Sequence, residues 1–416
     1  MVSAALARVE SLIAAKEVAQ ISKAICALKT TDLDSNEWNS LTDSVIQFAK
    51  SNKQSAAVIP AVVIATASTG NSISESQKTS IGNLISESFE SLSKFDKAVL
   101  TIGCSQSGFR TPAVVDFVNR FLTEARETQF ENMPVRLMPS LLLAVATLGI
   151  DNQLSWNHLV ASIDFENLNQ RDLVNVALAI VTSRTFPIAT VERIVASSLA
   201  LGGESFAIDD AVCLAHSLTC LEVFQADLFR SLLFNISKAE SLDDDAKRLT
   251  KQVLLSLFLD EKAHAITEAI SPVVLAKLDT FIDWSAAETQ RHHGRTAGEI
   301  QQIFGELEQT EDADNSVTRK PASLKPLADW TRDTAVSVAM DRFYVSDVPV
   351  NDSKRLFIHI DDETYPDVSD GPLDPFLQLK HAHVQKCGYR VMWVREQDWM
   401  DSEWEEKVEY VKSYSK

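Results

Sequence analysis

Glycine and proline are scarce in this chain, at 12 each among 416 residues. That leaves little material for phosphate-cradling loops, and the sequence holds no P-loop, no Rossmann glycine pattern and no Gly-x-Ser-x-Gly elbow. Cysteine is scarcer still. Cys26, Cys104, Cys213, Cys220 and Cys387 form an odd count with no CxxC pair, which reads as a reducing compartment without a structural metal. Positive charge is also short: 39 Lys and Arg against 58 Asp and Glu leave a net charge of −19. A protein that grips nucleic acid over its whole surface carries a basic face, so any RNA contact here is expected to be local. No apolar run reaches the roughly 18 residues that a spanning helix needs, so no membrane insertion is expected.

What is present is a repeat. Leu141–Ile150 (LLLAVATLGI) is short, apolar and alanine-rich, and it has near-copies along the chain. Each places an aliphatic residue before a small one: Ile25-Cys26, Ile64-Ala65, Ile102-Gly103, Leu143-Ala144, Leu178-Ala179, Leu214-Ala215 and Leu255-Ser256. Successive pairs lie 35 to 41 residues apart. A second aliphatic cluster follows each pair, at Val45-Ile46, Leu84-Ile85, Phe117-Val118, Leu159-Val160, Ile194-Val195, Leu232-Leu233 and Val273-Val274. Two apolar helices per unit at such a period predict an α-solenoid of about seven helical hairpins over residues 1–285. The small residue lets the neighbouring helix approach where a leucine would hold it away. Thr111 before Pro112 suits an N-cap with proline at the first helical position. Trp38 and Trp156 open second helices and read as packing anchors. The N-terminal segment has one Arg among Glu10 and Glu17, so it reads as a first helix rather than an organellar presequence.

Composition then shifts. Residues 286–331 are polar and acidic and read as a linker, although Thr296–Leu307 has amphipathic spacing. The pair His292-His293 at its start lacks nearby carboxylates or cysteines and reads as solvated. Over 332–416 the period becomes two. Phe343–Val350, Arg355–Ile360 and Tyr389–Val394 read as strands, Asp374–Cys387 as a helix ending at Gly388, and Ser402–Ser413 as a last helix. The order β-β-α-β-α predicts a small α/β domain whose final β-α-β crossover joins parallel strands. The chain is therefore expected to be mostly α, with an α/β domain at its end.

Four pieces of this last stretch, Leu356–Asp361 (LFIHID), Leu379-Lys380, Gly388–Val391 (GYRV) and Trp399, resemble the RAP domain. That module ends helical-repeat RNA-metabolism proteins of mitochondria and plastids, and the repeats here resemble octotricopeptide-like and FASTK-like repeats. The resemblance implies a restriction-endonuclease-like fold, similar to very-short-patch-repair and PD-(D/E)XK nucleases. Such chemistry needs two acidic groups for Mg²⁺ and a lysine to position water. By pattern Asp347 matches the first acidic position. The next strand places His359 where the family has Glu and Asp361 where the nuclease motif has Lys, with Asp362 following. A histidine is neutral or positive near neutral pH and does not supply the hard oxygen that Mg²⁺ prefers. The site is thus expected to be degenerate: no catalytic residue, no metal and no cofactor. His381 and His383 stand at i and i+2 on a helix and do not share a face, which argues against zinc. Lys380, His381, Lys386, Arg390 and Arg395 are the candidates for phosphate contact, set among enough acidic residues that a solvated mixed surface is the plain alternative.

The resemblance, with its degenerate site, implies a non-catalytic RNA-associated scaffold in a mitochondrial matrix ribonucleoprotein, such as the mitoribosome or an RNA-processing complex. Its expected partners are rRNA or mRNA through a limited patch, and other proteins. The alternatives are a RAP-type metal-dependent endoribonuclease and a pure protein-interaction solenoid acting as an assembly factor or accessory subunit.

Overall fold

The computed structural model describes all residues except 1–3, 29–32, 52–57, 70–72, 129, 131–132, 184, 186, 285–293, 309–325, 345, 349–354, 362–374 and 416. His292 and His293 therefore lie outside the described residues, as does the acidic run within the expected linker. The chain is mostly helical, with a two-stranded parallel sheet near its C-terminus. It divides into two compact units, Met1–Ser197 and Ser198–Lys416.

The first unit is built from α1 (Ala4–Ala15), α2 (Val18–Cys26), α3 (Ser35–Ser51), α4 (Ile59–Thr69), α5 (Glu75–Glu87) and α6 (Lys94–Gln106). It continues through α7 (Pro112–Glu127), α8 (Met138–Thr147), α9 (Gln153–Ala161), α10 (Gln170–Thr182) and most of α11 (Ile188–Leu201). Alternate helices stack. Even-numbered helices pack in succession from α2 to α10, and odd-numbered helices pack in succession from α1 to α9. Within this unit the aliphatic–small pairs fall on the even helices and the second clusters on the odd ones, so the repeat-like architecture follows the sequence period.

Small side chains set the spacing of the stack. At Gly103 of α6, an added Cβ would meet Val63 Cγ1 of α4 at 3.2 Å and Ile64 Cγ1 at 3.3 Å. Ala65, Ala144 and Ala179 are likewise buried. Cys26 departs from the pattern. It ends α2 and is exposed, so the first copy of the repeat does not bury its small residue. Trp38 and Trp156 are buried as packing anchors. Thr111 caps α7 by accepting from Val114 N–H, with Pro112 as the first helical residue. Ser74 and Gln77 form a capping box on α5, and the Gln77 amide also donates to Asp43 on α3 at 2.8 Å.

The second unit begins with α12 (Ile208–Cys220), α13 (Ala226–Ser237), α14 (Asp244–Leu259), α15 (His264–Ala269) and α16 (Pro272–Asp279). Then come α17 (Gly294–Glu308), α18 (Arg332–Val338), β1 (Leu356–Asp361), α19 (Pro375–Lys386), β2 (Arg390–Arg395), α20 (Glu396–Asp401) and α21 (Trp404–Ser415). β1 and β2 are parallel, in register from Leu356 opposite Arg390 to Asp361 opposite Arg395, and α19 crosses between them. Gly388, at φ +88°, turns the chain from α19 into β2.

Two corrections follow. Of the three predicted strands, the first does not form over its described residues. Ala339–Phe343 is a π-helical turn, and residues beyond it join β1 through single hydrogen bonds rather than a ladder. The expected linker over 286–331 contains α17, whose Ile300, Ile303 and Phe304 lie in one buried cluster with Ile358, Ile360 and Met392 of the sheet. The amphipathic spacing of that segment is what places it there. α19 covers the other face of the sheet and also packs on α12 and α14, so the crossover lies between the strands and the helices that precede it.

Candidate functional site

β1 alternates. Leu356, Ile358 and Ile360 enter the cluster with α17, while Phe357 and His359 face α19. His359 stands beside Trp393 in register on β2, and both rings meet His381 of α19, with centroids 5.2 and 5.9 Å away. Asp347 reaches the same place from the segment running along the far edge of β1. Its N–H donates to Ile358 C=O at 2.9 Å, and its carboxylate accepts from Ile360 N–H at 2.7 Å. His359 Nδ1 lies 3.2 Å from the Asp347 carboxylate, at ion-pair distance but without hydrogen-bond alignment. Burial pushes the Asp347 carboxyl up. His359, the Ile360 N–H and the charge of Lys380 outweigh that, and its pKa lies below the ordinary carboxylate value.

Asp347 and His359 thus meet, as the nuclease-like pattern requires. Asp361 closes β1, and its side chain lies outside the described residues. Among the described residues, no group of three or more His, Cys, Asp or Glu is placed to hold a metal ion. The cluster instead holds buried polar atoms without hydrogen-bond partners among those residues: both His359 nitrogens, His381 Nε2 and Trp393 Nε1.

The expected phosphate contacts do not form one surface patch. Lys380 is 3% exposed, its ammonium 5.4 Å from the centre of the Phe357 ring, and this corrects its reading as a surface group. α19 is covered on two sides, so a lysine next to Leu379 has no solvent to reach. His381 is half-buried. Burial first, then the neighbouring His359 and Lys380, push its pKa down to about 3, so it carries no charge for a phosphate at neutral pH. Lys386 pairs with Asp260 and, at 3.2 Å, with Glu222. Arg390 is exposed and donates to Tyr414 C=O. The Arg395 guanidinium lies 5.3 Å from the centre of the Trp393 ring. Of the five candidates, these two arginines keep solvent access without a carboxylate partner among the described residues.

His383, two residues beyond His381, faces the other way, as its spacing predicts. It is fully buried against α14 and Tyr344. Ser256 Oγ donates to Gln252 C=O at 3.0 Å, so it accepts from His383 Nε2–H. His383 Nδ1 then accepts from the Tyr344 hydroxyl at 2.7 Å, whose oxygen accepts from the Gln252 amide at 3.0 Å. The same amide donates to Phe376 C=O at 2.9 Å, and Gln252 Oε1 accepts from His216 Nε2 at 2.8 Å. This closed network fixes the tautomer and ties α19 to α12 and α14. Burial first, then Lys386 and His216, lower the His383 pKa to about 3.

Sequence reasoning missed a groove. A cavity of about 840 Å³ lies beside β2, lined by residues that include Trp393, Arg395, Asp398, Glu406, Glu409 and Tyr410. The Tyr410 hydroxyl, its pKa raised by burial and then by Tyr414, stays a donor and bonds Trp393 C=O at 2.6 Å. The stripe Glu406, Glu409, Tyr410, Ser413 has helical spacing and was the available signal. No family model matches the chain, and no curated protein matches it either.

Proposed function

We propose that the chain is a non-catalytic scaffold of an organellar ribonucleoprotein: an α-solenoid ending in a degenerate RAP-like α/β module. Compartment, process and RNA association follow from the RAP resemblance, and a mitochondrial matrix complex such as the mitoribosome or an RNA-processing assembly fits it best. The stacked alternate helices of the first unit and the parallel β-α-β crossover of the second agree with that architecture. One observation carries the non-catalytic reading. The Asp347 carboxylate is held by His359 and the Ile360 N–H, and the second acidic position of the nuclease pattern is that histidine. Mg²⁺ takes oxygen ligands in near-octahedral geometry, and an imidazole in that place does not replace a carboxylate.

A specific observation also favours the protein-interaction reading. Of the five basic candidates, Lys380 is buried, His381 is neutral and Lys386 is paired with two carboxylates. RNA contact thus falls to Arg390 and Arg395, and a contact of two phosphates predicts a shallow salt dependence. Most of the acidic surface is then left for proteins. The test of the non-catalytic reading is cleavage. Purified full chain with Mg²⁺ or Mn²⁺ is expected to leave generic and native transcripts intact over hours. Cleavage that disappears in Asp347→Ala or Asp361→Ala would establish the endoribonuclease alternative instead.

A further inference from the structure

We infer that the outer edge of β2 and the groove beside it bind an extended, basic peptide of a partner protein by strand addition, an inference that rests on the scaffold reading and names the partner's chemistry. The edge comes from the register. Arg390 N–H donates to Arg355 C=O at 2.7 Å, so Arg390, Met392 and Val394 turn their backbone groups toward β1. Val391 and Trp393 turn theirs outward, as does the Arg395 N–H, while Arg395 C=O opens α20 as its N-cap. Among the described residues β2 has β1 as its one ladder neighbour, while the far edge of β1 is taken by Asp347 and Ser346. An unpaired edge offers a peptide a row of backbone donors and acceptors.

The groove sets what kind of peptide fits. Its volume of about 840 Å³ runs along the same edge, between β2 and α21. Three carboxylates line it, Asp398, Glu406 and Glu409, against two cations. Both cations already have partners: Arg395 stacks on Trp393, and Lys407 bonds Glu299 at 3.0 Å. The balance attracts lysine or arginine side chains. Alternate side chains of a bound strand then point to the Trp393 and Tyr410 rings and to the carboxylates. Tyr410 is a built-in competitor. Its hydroxyl occupies the outward Trp393 C=O, the acceptor that an incoming N–H needs.

The test uses the full chain and a fluorescent eight-residue peptide alternating lysine and valine, followed by anisotropy. The comparison peptide has the same sequence with every backbone amide N-methylated, which keeps the charge and removes strand pairing from both edges. The unmodified peptide is expected to bind about tenfold more tightly than the methylated one. Glu406→Lys with Glu409→Lys, both exposed, weakens it by a similar factor, whereas Tyr410→Phe tightens it by removing the competing hydroxyl. Amide exchange at Val391 and Trp393 slows on binding. Equal affinity for the two peptides, or no change in Tyr410→Phe, overturns the inference in favour of charge attraction alone. Displacement of the peptide by single-stranded oligouridine overturns it in favour of RNA. If no peptide binds while the native protein still crosslinks to other proteins, this inference fails and the scaffold reading stands.

Discussion

The two units hold their helices together by different means. In the first, stacked helices meet through apolar contacts with single polar bonds such as Gln77 to Asp43 between them, and closeness comes from small residues such as Gly103, Ala144 and Ala179. In the second, α19 is held on α12 and α14 by a closed polar network through Gln252, Tyr344, His383 and Ser256. Apolar stacking is local and repeatable, so each helix needs only a neighbour of the right shape. A buried network accepts one arrangement, because each donor left without its acceptor carries a desolvation cost. The repeats can therefore be extended or trimmed in evolution, whereas the sheet-crossing helix is fixed to one seat.

Acid should separate the units most strongly. Folded, His381 and His383 stay neutral down to about pH 3, whereas unfolded they take up protons near the ordinary value of 6.5. Between those values the unfolded state binds more protons, so stability falls as pH drops through the window. The slope is up to about 1.4 kcal/mol per pH unit for buried His383 and less for His381, which is partly solvated. Depressed Asp347 adds loss of the same sign at the acid end, as pH falls through its folded pKa. Urea melts read by hydrogen exchange at pH 7 and pH 5 are expected to show the second unit losing about 2–4 kcal/mol. The first unit, whose one histidine is His158, should move less. Equal losses would erase the distinction.

Removing the hub of the network comes next. Gln252→Ala removes one hydrogen bond each from His216 Nε2, the Tyr344 hydroxyl and Phe376 C=O, at a cost of about 2–4 kcal/mol. Amide exchange in α19 should accelerate with it. A change under about 1 kcal/mol would mean that α19 is seated by its apolar contacts alone. The smallest expected effect is in the apolar stack. Ala179 is fully buried where α10 meets α8, so Ala179→Leu overpacks that contact by about 1–3 kcal/mol. Its effect should stay within the first unit, with α19 exchange unchanged.

The helices were legible because burial imposes a period. Aliphatic–small pairs located α4, α6, α8, α10, α12 and α14, and the switch to alternation located β1 and β2. Cys26 misled because a helix end can carry the pattern without a neighbour to cover it. The amphipathic spacing of Thr296–Leu307 located α17 inside a polar segment, since its Ile300, Ile303 and Phe304 are few but lie in one buried cluster. The nuclease-like pair of Asp347 and His359 was readable as a pattern. Lys380 was not, since a lysine beside Leu379 reads as surface until the second layer over α19 is known. The Gln252 network joins residues up to 127 apart, and no local spacing announces such a contact.

Crosslinking the native complex and mapping the adducts tests the scaffold reading most directly. The account predicts protein crosslinks on both units, with RNA adducts confined to the neighbourhood of Arg390 and Arg395 and weakened by replacing both. RNA adducts spread along α2, α4, α6, α8 and α10 would contradict it, making the repeats the RNA reader and the α/β module a docking piece.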